Sequence, residues 1–106
     1  MTQQQLIDVL RELISEGMSI TDETTYKKIS TKYDVMFLGE HFNHIYSLDL
    51  RHTLEHHFGI TVSNDELNDV LPSVCEHMGL ECSPMYAVSD LSNSNRTPHC
   101  YQITLW

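Results

Sequence analysis

Between Arg51 and Arg96 the chain has no lysine or arginine, although Glu55, Asp65, Glu66, Asp69, Glu76, Glu81 and Asp90 all fall in that stretch. Over the whole 106 residues, six basic side chains face fifteen acidic ones, a formal net charge of −9. Such a field repels nucleic acid and anionic membrane unless a local basic patch overrides it. The three lysines, Lys27, Lys28 and Lys32, are confined to one short segment. Long hydrophobic runs are missing as well, and none approaches the roughly 20 apolar residues that span a bilayer. Residues 2 to 16 interleave Asp8, Arg11, Glu12 and Glu16, which neither a secretion signal nor a membrane anchor tolerates. The cysteines, Cys75, Cys82 and Cys100, are odd in number, so the expectation is a reduced, cytoplasmic protein with one or two buried thiols. No Ser-His-Asp order, Gly-rich phosphate loop or Cys-x-x-Cys pair occurs. Catalysis therefore has no positive support, and neither enzyme activity nor a cofactor is expected.

What remains is a pattern of amphipathic segments with 41% apolar content, sized for one domain over residues 1–106. Thr2 and Gln5 have capping-box spacing, and Leu6, Ile7, Leu10, Leu13 and Ile14 repeat at helical intervals up to Gly17, which reads as the stop. A second helix is expected from about Asp22 to Tyr33, with Tyr26, Ile29 and Tyr33 on one stripe and the lysines on the far side. Val35 to Leu38 reads equally as a strand or a buried turn. Residues 40 to 58 follow a helical pattern that is apolar all round unless broken near Ser47. Ser47 then caps a new helix whose Leu50, Leu54 and Phe58 face inward. Gly59 ends it.

Ser63 and Glu66 form a second capping-box spacing. Leu67, Val70, Leu71, Val74, Cys75 and Met78 follow, ending at Gly79, with Pro72 expected to kink or restart the helix. Beyond Gly79 the period changes to two: Met85 to Val88 and Tyr101 to Leu105 read as strands around a Ser- and Asn-rich tip, Ser89 to Pro98. The fold class expected is α+β and mostly helical, with four to five helices followed by a C-terminal β-hairpin. Residues 1–46 make an N-terminal helical part.

Residues 47–106 resemble a winged helix-turn-helix domain through Leu50 to Phe58, the Gly59-Ile60 turn, the Ser63-capped helix, Gly79-Leu80 and the closing strands. That resemblance implies a second helix that reads bases, a hairpin tip that touches phosphate, and pairing of two copies through an added terminal helix. The charge departs from it. On a helix over residues 64 to 78, Asp65, Asp69 and Glu76 line an outward stripe opposite Leu71 and Met78. A carboxylate held near phosphate costs on the order of 1–4 kcal/mol before screening. Arg96 alone, at the tip, suits a phosphate contact. Ser47-Leu48-Asp49 with Phe58-Gly59-Ile60-Thr61-Val62 also resembles the acyl carrier proteins, but Tyr46 replaces their usual Asp and the Ser47–Phe58 interval is about one helical turn short.

Seven histidines raise a metal reading. His52-Thr53-Leu54-Glu55-His56 has the H-x-x-E-H order of inverted zinc peptidases, and two histidines four apart on a helix can share an ion. A third ligand would have to come from His41, His44 or a carboxylate. The bland alternative is that His52 and His56 face solvent opposite Leu50 and Leu54. Cys75 is expected inward as a small core residue, with His77 turned away from it.

The function expected from these residues is non-enzymatic binding to a basic surface of a protein partner. Asp65, Glu66, Asp69, Glu76 and Glu81 form the contact face and imitate a row of phosphates, as in inhibitors from phages and mobile elements such as anti-CRISPR proteins. Two alternatives stand beside it: a DNA-binding regulator using Lys27, Lys28, Lys32 and Arg96, and a metal-binding protein using His52 and His56.

Overall fold

A computed structural model describes residues 1–86 and 98–106. Arg96 and Asp90, the end of the expected strand at Val88 and the tip from Ser89 up to Pro98 lie outside the described residues.

Helix α1, Gln3–Met18, begins where the sequence places it. The Thr2 hydroxyl accepts from the Gln5 N–H at 3.1 Å, and the Gln5 side chain accepts from the Thr2 N–H at 2.8 Å. Leu6, Leu10 and Leu13 are fully buried. Gly17 does not stop this helix, which ends one residue later with Ser19 as its C-cap. A Cβ on Gly17 would stand 2.9 Å from Trp106 Cη2 and 3.0 Å from Phe37 Cε1. The position therefore needs a residue without a side chain for close packing, not for a turn.

Helix α2, Glu23–Tyr33, is capped by Asp22, whose carboxylate accepts from the Thr25 N–H at 2.8 Å. Asp34 ends it in the left-handed region at φ 53°. Ile29 and Tyr33 are buried, Tyr26 is half-buried and donates its hydroxyl to the Phe37 carbonyl at 2.9 Å, and the three lysines are exposed. The following segment is extended: Val35 and Phe37 are buried while Met36 is exposed, and Leu38 bridges to His44.

Residues 40 to 46 are not helical. They form a turn and then strand β1, His44–Tyr46, aligned with residues 102–104 of the last strand. A local apolar pattern cannot report a partner almost sixty residues away, and here that pairing overrides the helical period. Nor is Ser47 a cap. Helix α3, Ser47–His56, has Tyr46 at its N-cap with no side-chain cap bond. The Ser47 hydroxyl, fully buried, accepts the Tyr101 N–H at 2.9 Å. Leu50 and Leu54 are buried as expected.

Helix α4, Asn64–Met78, starts with Ser63 accepting from the Glu66 N–H at 3.1 Å. The reciprocal half of the box is not made. Glu66 instead places its carboxylate 4.0 Å from the Met1 amino group. The helix runs through Pro72 with no restart. One lost donor is outweighed by Leu67, Leu71, Val74 and Cys75, all buried on the same face. Gly79, at φ 73°, ends it.

Strand β2, Glu81–Met85, starts four residues earlier than the sequence suggests, and β3, Cys100–Thr104, pairs with it antiparallel from Glu81↔Thr104 to Met85↔Cys100. The sheet order is β1-β3-β2, so the described residues form four helices with a small three-stranded antiparallel sheet, an α+β fold. One core cluster joins α1, α2, α3 and α4 to Ile45 and Ile103. The expected N-terminal helical part and the remainder share it.

Two outcomes follow. Ser47→Ala leaves the Tyr101 N–H buried and unpaired, and urea denaturation should show a loss of about 1–3 kcal/mol. An unchanged midpoint would mean the hydroxyl is dispensable. The Thr25 backbone N–H holds the Asp22 carboxyl below the usual range. A depressed carboxyl stabilises the fold above its unfolded pKa and loses that contribution as pH falls through the folded value. The melting-temperature gap between wild type and Asp22→Ala should therefore be widest near neutrality and narrow as the pH falls below the ordinary carboxylate range.

Candidate functional site: the acidic face of α4 and β2

The burial of Leu67, Leu71, Val74 and Cys75 turns the opposite side of α4 outward, and Asp65, Glu66, Asp69 and Glu76 are all exposed there. Glu81 is exposed beyond the Gly79 cap, at the start of β2, on the sheet face opposite to the core-facing Cys82. At 1.5 Å of rise per residue, Asp65 and Asp69 are about 6 Å apart along the axis, and Glu76 lies about 10 Å further on. Among the described residues, Asp65, Asp69, Glu76 and Glu81 make no ion pair, and Glu66 has only the distant Met1 amino group. Four of the five carboxylates that the sequence singles out thus lie on the exposed side of α4, and the fifth, Glu81, is exposed on β2.

Beside this face lies a cleft of about 390 Å³ lined by Asp65, Asn68, Asp69, Pro98 and Tyr101. Asn64 and Asn68 both donate their side-chain amides to the His99 carbonyl, at 3.0 and 3.1 Å, and so tie α4 to the approach of β3. Among the described residues their buried Oδ1 atoms have no hydrogen-bond partner. Burial pushes the Tyr101 phenol upward, with Asp69 and, once ionised, Cys82 and Tyr86 adding to the shift. Asn68 and Tyr101 did not stand out in the sequence. An Asn in the second turn of a helix reads as an ordinary polar position, and the neighbourhood of Tyr101 is created by the sheet.

The basic residues of the alternative reading are differently placed. Lys27 Nζ lies 3.1 Å from Glu23 and Lys32 Nζ 3.8 Å from Glu16, while Lys28 makes no ion pair among the described residues. Two of the three lysines are therefore partly neutralised by acids on the same surface.

His52 and His56 share a face of α3 with ring centroids 6.0 Å apart and are both exposed. His56 Nδ1 is taken by the Asp34 carboxylate at 2.6 Å. Among the described residues no group of three or more His, Cys, Asp or Glu side chains is placed to hold a metal ion. His57 contacts the Lys32 carbonyl at 3.0 Å, and His44 lies 3.1 Å from both Gln102 and Thr104, so these two rings bind elements together. Cys75 is buried and His77 exposed, as the helical spacing requires.

A second cleft, of about 480 Å³, is lined by Ile20, Thr21, Asp22, Glu23, Tyr26, Lys27 and Phe42. Phe42 is 41% exposed and held at φ 52°, an unusual conformation for a bulky residue. Nothing in the sequence separates it from the surrounding apolar pattern.

Among the described residues no helix is long and apolar enough to cross a membrane. No family model, curated protein or solved structure matches this chain.

If the stripe is not structural, its charges can be removed cheaply. Asp69→Asn and Glu76→Gln should each change folding free energy by no more than about 0.5 kcal/mol in urea titration. A loss above about 2 kcal/mol from either would assign these carboxylates to the fold instead.

Proposed function

We propose that this chain is a non-enzymatic binding protein whose acidic α4–β2 face docks on a basic surface of a protein partner, one that otherwise holds nucleic acid. The observation that carries this reading is the α4 row Asp65, Asp69 and Glu76, exposed and, like Glu81 on β2, without a cationic partner among the described residues. Side chains serving only solubility are usually interspersed with the opposite sign, and here one sign occupies a whole helix face. Such a face accelerates encounter with a positive partner and rejects negative ones.

The element order and the strand order β1-β3-β2 support a winged-helix reading in which α4 occupies the position of the base-reading helix. With carboxylates there, the element suits imitation of a nucleic acid better than contact with one. Each carboxylate near phosphate costs about 1–4 kcal/mol across the dielectric range of a protein surface. The regulator reading is weaker because Lys27 and Lys32 already have acidic neighbours. A small inhibitor of the phage or mobile-element type is the setting that best fits an acidic chain acting through one face.

The test uses wild type and the triple reversal Asp65→Lys, Asp69→Lys, Glu76→Lys as baits in extracts of the source cells, with circular dichroism to confirm the fold. Wild type should retain a partner at low salt and release it as salt rises, because exposed charges are screened within about 10 Å at 0.1 M. The reversed protein should retain none of it. Equal recovery by both baits would remove the proposal. A low-salt gel shift of duplex DNA by the wild type would favour the regulator reading instead.

A further inference from the structure

The last turn of α4 and the first residues of β2 are folded back on each other through Gly79 and Leu80, with the Leu80 N–H donating to the Cys75 carbonyl at 2.8 Å. Cys75 is 1% exposed, in the helix. Cys82 is half-buried, on a strand that packs against that helix, opposite the fully buried Ile103. Cys75 belongs to the core cluster, Cys82 packs against that same cluster, and neither is in a disulfide. Cys100 is differently placed. It pairs with Met85, three residues along β3 from the partner of Cys82, and strand alternation turns it to the other face of the sheet. The fold thus selects one pair from three cysteines, a selection that spacing alone did not make.

We propose that Cys75 and Cys82 form a reversible intramolecular disulfide, with Cys82 as the thiol that reacts with a peroxide and Cys75 as the thiol that resolves the product. Exposure divides the chemistry, since Cys82 is half-buried and Cys75 is enclosed. Cys75 stays protonated because Cys82 and burial both hold its proton, while the Cys75 thiol lowers the pKa of Cys82. A more exposed thiol with more thiolate character is the better nucleophile. The Cys82 sulfur attacks one peroxide oxygen, the O–O bond breaks, and hydroxide or alkoxide departs and takes up a proton. Cys82 is then a sulfenic acid. The Cys75 sulfur attacks it, the S–O bond breaks, and hydroxide leaves with the Cys75 proton as water. Two thiols have lost two electrons and two protons, and the peroxide has been reduced to water and an alcohol or a second water. A small-molecule thiol reverses the bond by exchange.

This inference is independent of what the acidic face binds, although Glu76 and Glu81 adjoin the two cysteines and the bond would fix their relative positions. The test treats reduced full-length protein with a small excess of hydrogen peroxide, blocks free thiols by alkylation and measures intact mass. Digestion after glutamate separates Cys75 from Cys82 by cutting at Glu76 and Glu81, and trypsin cuts at Arg96 to separate Cys82 from Cys100. The expected result is a single linked pair, Cys75 to Cys82, with Cys100 alkylated and full recovery of all thiols on reduction. Cys100→Ser should behave as wild type, and Cys75→Ser should accumulate sulfenic acid at Cys82 that a dimedone probe traps. Three alkylated thiols after peroxide, or a link that includes Cys100, would overturn the proposal from the wild type alone.

Discussion

Strand β3 is the constraint on which the rest of the molecule depends. It pairs with β1 on one side and β2 on the other, and it sends Ile103 into the core, followed by Leu105. Its Tyr101 N–H is answered by the Ser47 hydroxyl at the first turn of α3. Remove that strand and, among the described residues, β1 and β2 have no partner left in the sheet. The reach from β3 to α4 is short, since Asn64 and Asn68 both hold the His99 carbonyl just before it. The orientation of α4, and so of its carboxylates, follows from where β3 lies.

Charge then decides what that orientation can be used for. An exposed carboxylate costs little where water solvates it, and a helix tolerates a row of them. Brought against phosphate, the same row opposes binding. Brought against lysine and arginine, it favours encounter at a rate that salt will suppress. The neighbouring thiol pair stands apart from this electrostatics. The proposed disulfide draws on Cys75 and Cys82, at the junction between α4 and β2.

Local signals in the sequence were legible where the physics is local. Thr2 with Gln5, Asp22, Ser63 and Gly79 mark helix ends because capping uses groups within a few residues. The buried faces of α1 and α4 follow the apolar spacing, and the acidic stripe follows from the same periodicity. Three features were not legible because their causes are remote. His44–Tyr46 is a strand only because Gln102–Thr104 is beside it. Ser47 resembles a cap in sequence, yet its hydroxyl serves Tyr101. Gly17 resembles a stop, yet it makes room for Trp106 and Phe37. The cleft beside the acidic face was hidden for the same reason, since Asn68 and Tyr101 come from distant segments.

The central claim concerns which surface of the chain meets its partner. Hydrogen–deuterium exchange of the chain, alone and in complex with the partner it retains, reads that surface directly. The account predicts added protection across residues 64–85, strongest in the exposed turns of α4, with α1 and α2 unchanged. Protection confined to α2 or to the Ile20–Phe42 cleft, with α4 exchanging as in the free protein, would contradict it.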